Sequence, residues 1–139
     1  MVASKKYRRG DICDMILGIE HIGLVARDVD KLCDWYNKVF GFKTIRVLED
    51  GSTFIEAQNG FKIEIYKLKE DDLEKHHNHV KGLRHIAIDV EDFEYEKQRL
   101  TDLGVEWANY EVYNENVKLA LFYDIEGNLI HITRRTLPL

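Results

Sequence analysis

The 139-residue chain has only two cysteines. Cys13 falls in a polar N-terminal stretch and Cys33 in a helical pattern, which excludes a disulfide framework and any Cys-based metal spacing, so both thiols are expected to be reduced. Long apolar runs are also missing. The longest, at 16–19 and 118–123, are far too short to span a bilayer, so no membrane association is expected. A cationic excess is absent too: 20 Lys and Arg stand against 25 Asp and Glu, a formal net charge of −5. Without a basic stripe to neutralise phosphates, no nucleic-acid partner is expected. The first ten residues, MVASKKYRRG, lack the apolar core and small-residue cleavage site of a secretory signal. Residues 1–15 therefore read as a flexible, solvated tail of a cytoplasmic protein. What is present is ordinary globular composition, with 45% hydrophobic and 32% charged residues, enough for one domain over 16–139.

That domain contains a repeat. Gly18-Ile-Glu-His21-Ile-Gly-Leu-Val followed by Asp28 matches Gly82-Leu-Arg-His85-Ile-Ala-Ile-Asp followed by Asp92, at a constant offset of 64 residues. Each copy then enters a helical pattern. In the first, Asp28 is the N-cap, Leu32, Tyr36, Val39 and Phe40 form the apolar face, and Gly41 is the stop; the second uses Asp92, Phe93, Leu100, Leu103 and Gly104. Three short segments rich in β-branched and aromatic residues follow each helix, near 43–49, 53–57 and 61–68, then near 105–113, 117–123 and 128–135. Turn signals such as Asp50-Gly51, Asn59-Gly60 and Glu126-Gly127-Asn128 separate them. The chain is thus expected to be α+β: two tandem βαβββ modules, 16–68 and 82–135, joined by a linker at 69–81. The linker's His76, His77 and His79 sit among charged loop residues and read as hydrated side chains, not metal ligands.

Strand alternation then selects candidate ligands. His21 shares a face with Ile19, Gly23 and Val25, and Glu64 points away from Ile63 and Ile65, which suit packing under the helix. In the second copy His85 opposes Ile86 and Ile88, while His131 opposes Ile130 and Ile132. Each module therefore supplies one ligand-type residue from its first strand and one from its last, the latter four positions after a turn glycine. Imidazole and carboxylate are the usual ligands of first-row divalent ions, so His21, Glu64, His85 and His131 are the expected metal site. The expected cofactor is one divalent ion: Zn, Ni, Co, Mn or Fe.

The segments IEHIGLVARDVDKLCDWYNKVFGF, GFKIEIY, GLRHIAIDV and LFYDIEGNLIHI resemble the vicinal oxygen chelate superfamily, which includes glyoxalase I, extradiol dioxygenases and fosfomycin- and bleomycin-resistance proteins. The resemblance spans about 17–135. It implies a half-open mixed-sheet barrel around a metal cleft, ligands at the four positions above, a small-molecule substrate and a homodimer. His131 departs from it, since glyoxalase I and most relatives place a glutamate there. One carboxylate and three neutral imidazoles leave a divalent ion with a net +1 charge, a stronger Lewis acid than a neutralised one. The leading expectation is a metal-dependent lyase or isomerase of glyoxalase (lactoylglutathione lyase) type, with Glu64 as catalytic base. The alternatives are an Fe(II) extradiol dioxygenase and a non-catalytic resistance protein that binds its ligand in a cleft lined by Tyr66, Trp107, Tyr110, Tyr113 and Tyr123. Arg46, Arg84 and Lys118 read as solvated surface. Trp35 and Tyr36 are expected to pack on the sheet or on a second subunit.

Overall fold

The computed structural model describes residue 17 and residues 19–68 and 83–139. The tail at 1–15, with Cys13, and the linker at 69–81, with its three histidines, lie outside the described residues. The order is β1 (His21–Ala26), α1 (Val29–Phe40), β2 (Lys43–Val47), β3 (Thr53–Glu56) and β4 (Lys62–Lys67), then β5 (His85–Asp89), α2 (Phe93–Asp102), β6 (Glu106–Tyr113), β7 (Val117–Tyr123) and β8 (Leu129–Arg135). Two βαβββ modules result. Each forms a four-stranded mixed sheet, ordered β1-β4-β3-β2 in one and β5-β8-β7-β6 in the other. Among the described residues the two sheets remain separate and form no closed barrel.

Local chemistry explains the helix limits. Asp28 is extended and its carboxylate accepts from Lys31 N at 3.1 Å, satisfying one free donor of α1. At the other end Gly41 takes φ 72°, the left-handed conformation in which its N–H reaches the Asn37 carbonyl. Asp92 caps α2 in the same way, through Tyr95 N at 3.0 Å. That helix ends at Asp102, two residues before the glycine expected to stop it.

The helices lie on the faces of the sheets that carry alternate isoleucines. Ile55, Ile63 and Ile65 pack with Leu32, Tyr36 and Val39, and Ile130 and Ile132 with Phe93 and Leu100, in one buried cluster. Each fully buried Ile or Leu contributes about 2–3 kcal/mol. The cluster runs through both modules: the rings of Trp35 and Phe40 meet Phe122 of β7 at 6.5 and 6.1 Å. Polar contacts follow the same seam. Tyr36 donates its hydroxyl to Asp124 Oδ2 at 2.9 Å, and Arg99 Nη2 donates to the Val39 carbonyl at 2.7 Å. Glu126 accepts from Asp28 N and Arg27 Nε. Trp35 and Tyr36 are therefore contacts between modules of one chain. Because α1 touches the inner faces of both sheets, the faces bearing the candidate ligands turn outward, away from this shared core.

Candidate metal centre

In the first module the parallel pairing of β1 with β4 sets Gly23 beside Glu64 and His21 beside Lys62. The row continues through Phe54 to Arg46, so Gly23, Glu64, Phe54 and Arg46 share the outward face. His21 Nε2 lies 3.3 Å from Glu64 Oε2. Its other ring nitrogen, Nδ1, lies 3.1 Å from Glu20 Oε1, and its edge meets the Phe54 ring at 5.2 Å. A carboxylate on the ring nitrogen opposite the ligating one fixes a histidine's tautomer and orientation at many metal sites. Sequence alternation alone missed Glu20, which precedes the first strand residue and so escapes the period-two pattern.

In the second module β5 and β8 pair in parallel, Ala87 beside His131, and Leu121 stands where Phe54 stands in the first. The rings of His85 and His131 are 4.3 Å apart. His131 projects away from the helices as expected, yet it is only 8% exposed. Burial, then the neighbouring His85 and Arg135, push its pKa down to about 4, so the imidazole is neutral near pH 7, the form that binds metal. Its Nδ1 is buried without a hydrogen-bond partner among the described residues, as is Thr133 Oγ1, two residues along the same face. A buried imidazole nitrogen left unpaired is costly, and a metal ion or a partner group would relieve it.

The four candidates thus meet as two pairs. Among the described residues no three His, Cys, Asp or Glu side chains stand close enough to hold one ion. By donor chemistry each pair fits half of a divalent site: one imidazole with one carboxylate, and two imidazoles. A hollow of about 1900 Å³ does not bring the two pairs together. It borders β1 and β5 and is lined by Ile22, Leu24, Ile86, Ile88 and His85, but not by His21, Glu64 or His131. It exceeds the usual size of a small-molecule pocket.

The aromatic residues divide. Tyr66 shares the outward face with Glu64, whereas Trp107 packs on Phe122 and Tyr113 on Phe93, both toward the helices. Those two therefore do not line the face that carries Glu64. Cys33 is a free, buried thiol whose pKa is raised to about 11, first by burial and then by Asp30 and Asp34, which makes it unreactive.

The sequence profile of the Glyoxalase/Bleomycin resistance protein/Dioxygenase superfamily matches residues 18–132. The chain belongs to this superfamily. Among solved superfamily structures, the fosfomycin resistance protein FosX from Listeria monocytogenes, complexed with Mn(II) and sulfate, is 25% identical with a TM-score of 0.70. The match covers 88% of this chain and 94% of that one. A Glu-to-Gln variant of the same protein, complexed with Mn(II) and 1S,2S-dihydroxypropylphosphonic acid, is 26% identical with a TM-score of 0.68 over the same shares. FosX from Mesorhizobium loti, at 22% identity and a TM-score of 0.66 over 88% of this chain and 96% of that one, shares the fold. A comparison with curated proteins gives no significant match. No helix among the described residues is long and apolar enough to cross a membrane.

Proposed function

We propose that this protein is a divalent-metal-dependent enzyme for a small substrate with adjacent oxygens, and that two copies of the chain build each site. His21 and Glu64 of one copy would hold the ion together with His85 and His131 of the other. The observation that carries this reading is the placement of two ligand pairs at repeat-equivalent positions on faces that turn away from one core. The edges support it as well. Ile22, Leu24, Ile86 and Ile88 of β1 and β5 are only partly buried, while their counterparts Ile63, Ile65, Ile130 and Ile132 are fully buried. A second copy against those edges would cover them.

The leading chemistry is proton transfer beside a carbonyl, of the glyoxalase lyase or isomerase type. The ion, when bound, supplies Lewis acidity to the substrate oxygens. Glu64 is the base: its carboxylate faces outward, is held by His21 and is partly open to solvent. Glu20 fixes the His21 ring, and buried His131 stays neutral at working pH, which leaves the site one negative charge short of a two-carboxylate set. The likeness to Mn(II)-bound FosX supports a second reading, a small phosphonate or other oxyanion as substrate.

Trans assembly is tested by mixing His21→Ala with His85→Ala chains after unfolding and refolding. Each alone loses Mn(II) binding. Random pairing of the mixture restores about one quarter of the sites, because half of the dimers are mixed and each mixed dimer has one intact site. No recovery, with wild type binding Mn(II), rules out sharing between copies. For the chemistry, turnover of the methylglyoxal–glutathione hemithioacetal and of fosfomycin is compared in wild type and Glu64→Gln. A loss of at least about 100-fold with the ion retained supports Glu64 as base, and unchanged turnover removes it from that role.

A further inference from the structure

Tyr66 follows Glu64 by two residues on β4 and pairs with Val25, one row beyond the Gly23 and Glu64 row. Its ring leans back over Gly23. A Cβ placed on Gly23 would stand 3.0 Å from Tyr66 Cε1 and 3.6 Å from the phenol oxygen. The hydroxyl therefore occupies the side-chain space of the row that carries Glu64, one strand spacing of about 4.8 Å away. It has no hydrogen-bond partner among the described residues, and the ring is 38% exposed. The equivalent arrangement is absent from the second module, where Ala87 fills the glycine position and Thr133 the tyrosine position. The gap at Gly23 is thus matched to one aromatic ring.

We propose that Tyr66 is a substrate-binding residue of the site, its phenol donating a hydrogen bond to an anionic oxygen of the bound molecule, and that Gly23 is the residue that admits it there. The ligand class is a bidentate oxygen chelator with one charged oxygen, such as a hydroxamate or an enediolate. This assignment rests on the metal site proposed above. It makes Gly23 a specificity position: any larger residue moves the donor off the Glu64 row. The displaced atoms belong to the far end of a side chain, so the ring can swing aside without disturbing the sheet.

The test uses full-length protein loaded with Mn(II), with acetohydroxamate as the probe. Mn(II) affinity is followed by electron paramagnetic resonance, probe binding by calorimetry, and the phenol by ultraviolet difference absorbance. Tyr66→Phe is expected to weaken acetohydroxamate by about tenfold while leaving Mn(II) affinity within about twofold, the loss of one hydrogen bond to a charged group. Gly23→Ala is expected to give a similar loss although the phenol remains. Acetohydroxamate should shift the tyrosine absorbance of wild type, and the shift should vanish in Tyr66→Phe, an effect that packing alone would not produce. Equal probe affinity in wild type and Tyr66→Phe, with Mn(II) bound to both, overturns the assignment and leaves the metal site standing. Failure of wild type to bind Mn(II) at all overturns both.

Discussion

The two modules share a backbone plan but not a chemistry. Their last turns show this most directly. After β3, Ala57 N donates to the Phe61 carbonyl and Gly60 N to the Ala57 carbonyl; after β7, Asp124 N donates to the Asn128 carbonyl and Gly127 N to the Asp124 carbonyl. Gly60 and Gly127 adopt φ 88° and 85°. Within this common turn the first module has a methyl group, while the second has a buried carboxylate that takes four hydrogen bonds, one from Tyr36 across the seam. Tyr36 in turn corresponds to Leu100, which buries without a polar atom. The candidate pairs diverge in the same manner: His21 and Glu64 form an imidazole–carboxylate contact at the surface, while His85 lies beside a buried, neutral His131. The first module thus carries an imidazole–carboxylate contact at its surface, and the second a buried carboxylate that holds the first helix across the seam.

The largest expected effect tests the turn. Asp124→Ala leaves the Tyr36 hydroxyl and three other donors without their acceptor, and should cost about 3–5 kcal/mol in urea unfolding. A cost below about 1 kcal/mol would make the two turns energetically equivalent. Next comes His131. Its folded pKa of about 4 lies below the ordinary 6.5, so the unfolded chain binds more protons between those values. Stability of the metal-free protein should therefore rise as pH increases from 4 to 6.5 and be level above, by up to about 3 kcal/mol. His131→Asn should flatten that part of the profile; an identical slope in the variant would assign it to carboxylates instead. The smallest effect belongs to Tyr36→Phe. It removes one donor to Asp124 and keeps the ring, so a loss of about 1–2 kcal/mol is expected from thermal unfolding.

Strands and helices were legible in the sequence because the repeat doubles every local signal. Asp28 and Asp92 cap, Gly41 stops, and the isoleucine pairs at 63 and 65 and at 130 and 132 mark the buried face, all where periodicity places them. The side-chain neighbours within each module were legible too, since strand parity decides which way His21, Glu64, His85 and His131 point. The separation of the two pairs within one copy was not. Parity within a strand carries no information about which side of a helical layer a whole sheet occupies, and that is settled here by Trp35, Phe40 and Phe122. Asp124 was equally hidden: as a residue beside a turn it reads as solvated, and only its partner 88 residues away shows otherwise. Tyr66 was visible as one aromatic among five. Its distinction comes from Gly23, a neighbour across the sheet that no linear pattern links to it.

The Glu126 contacts carry a consequence for synthesis of the chain. The backbone N–H of Asp28, at the entrance to the first helix, and the hydroxyl of Tyr36, in its middle, find their acceptors only in the turn at 124–126. A further 88 to 98 residues must be synthesised after each donor before its acceptor exists. The first module therefore leaves the exit tunnel with the Trp35 and Phe40 side of its helix uncovered and these polar groups open, and it completes only when the hairpin of β7 and β8 arrives. Closure of that hairpin is a late step with high contact order, and until then the nascent chain presents Trp35 and Phe40 to whatever surface is nearest.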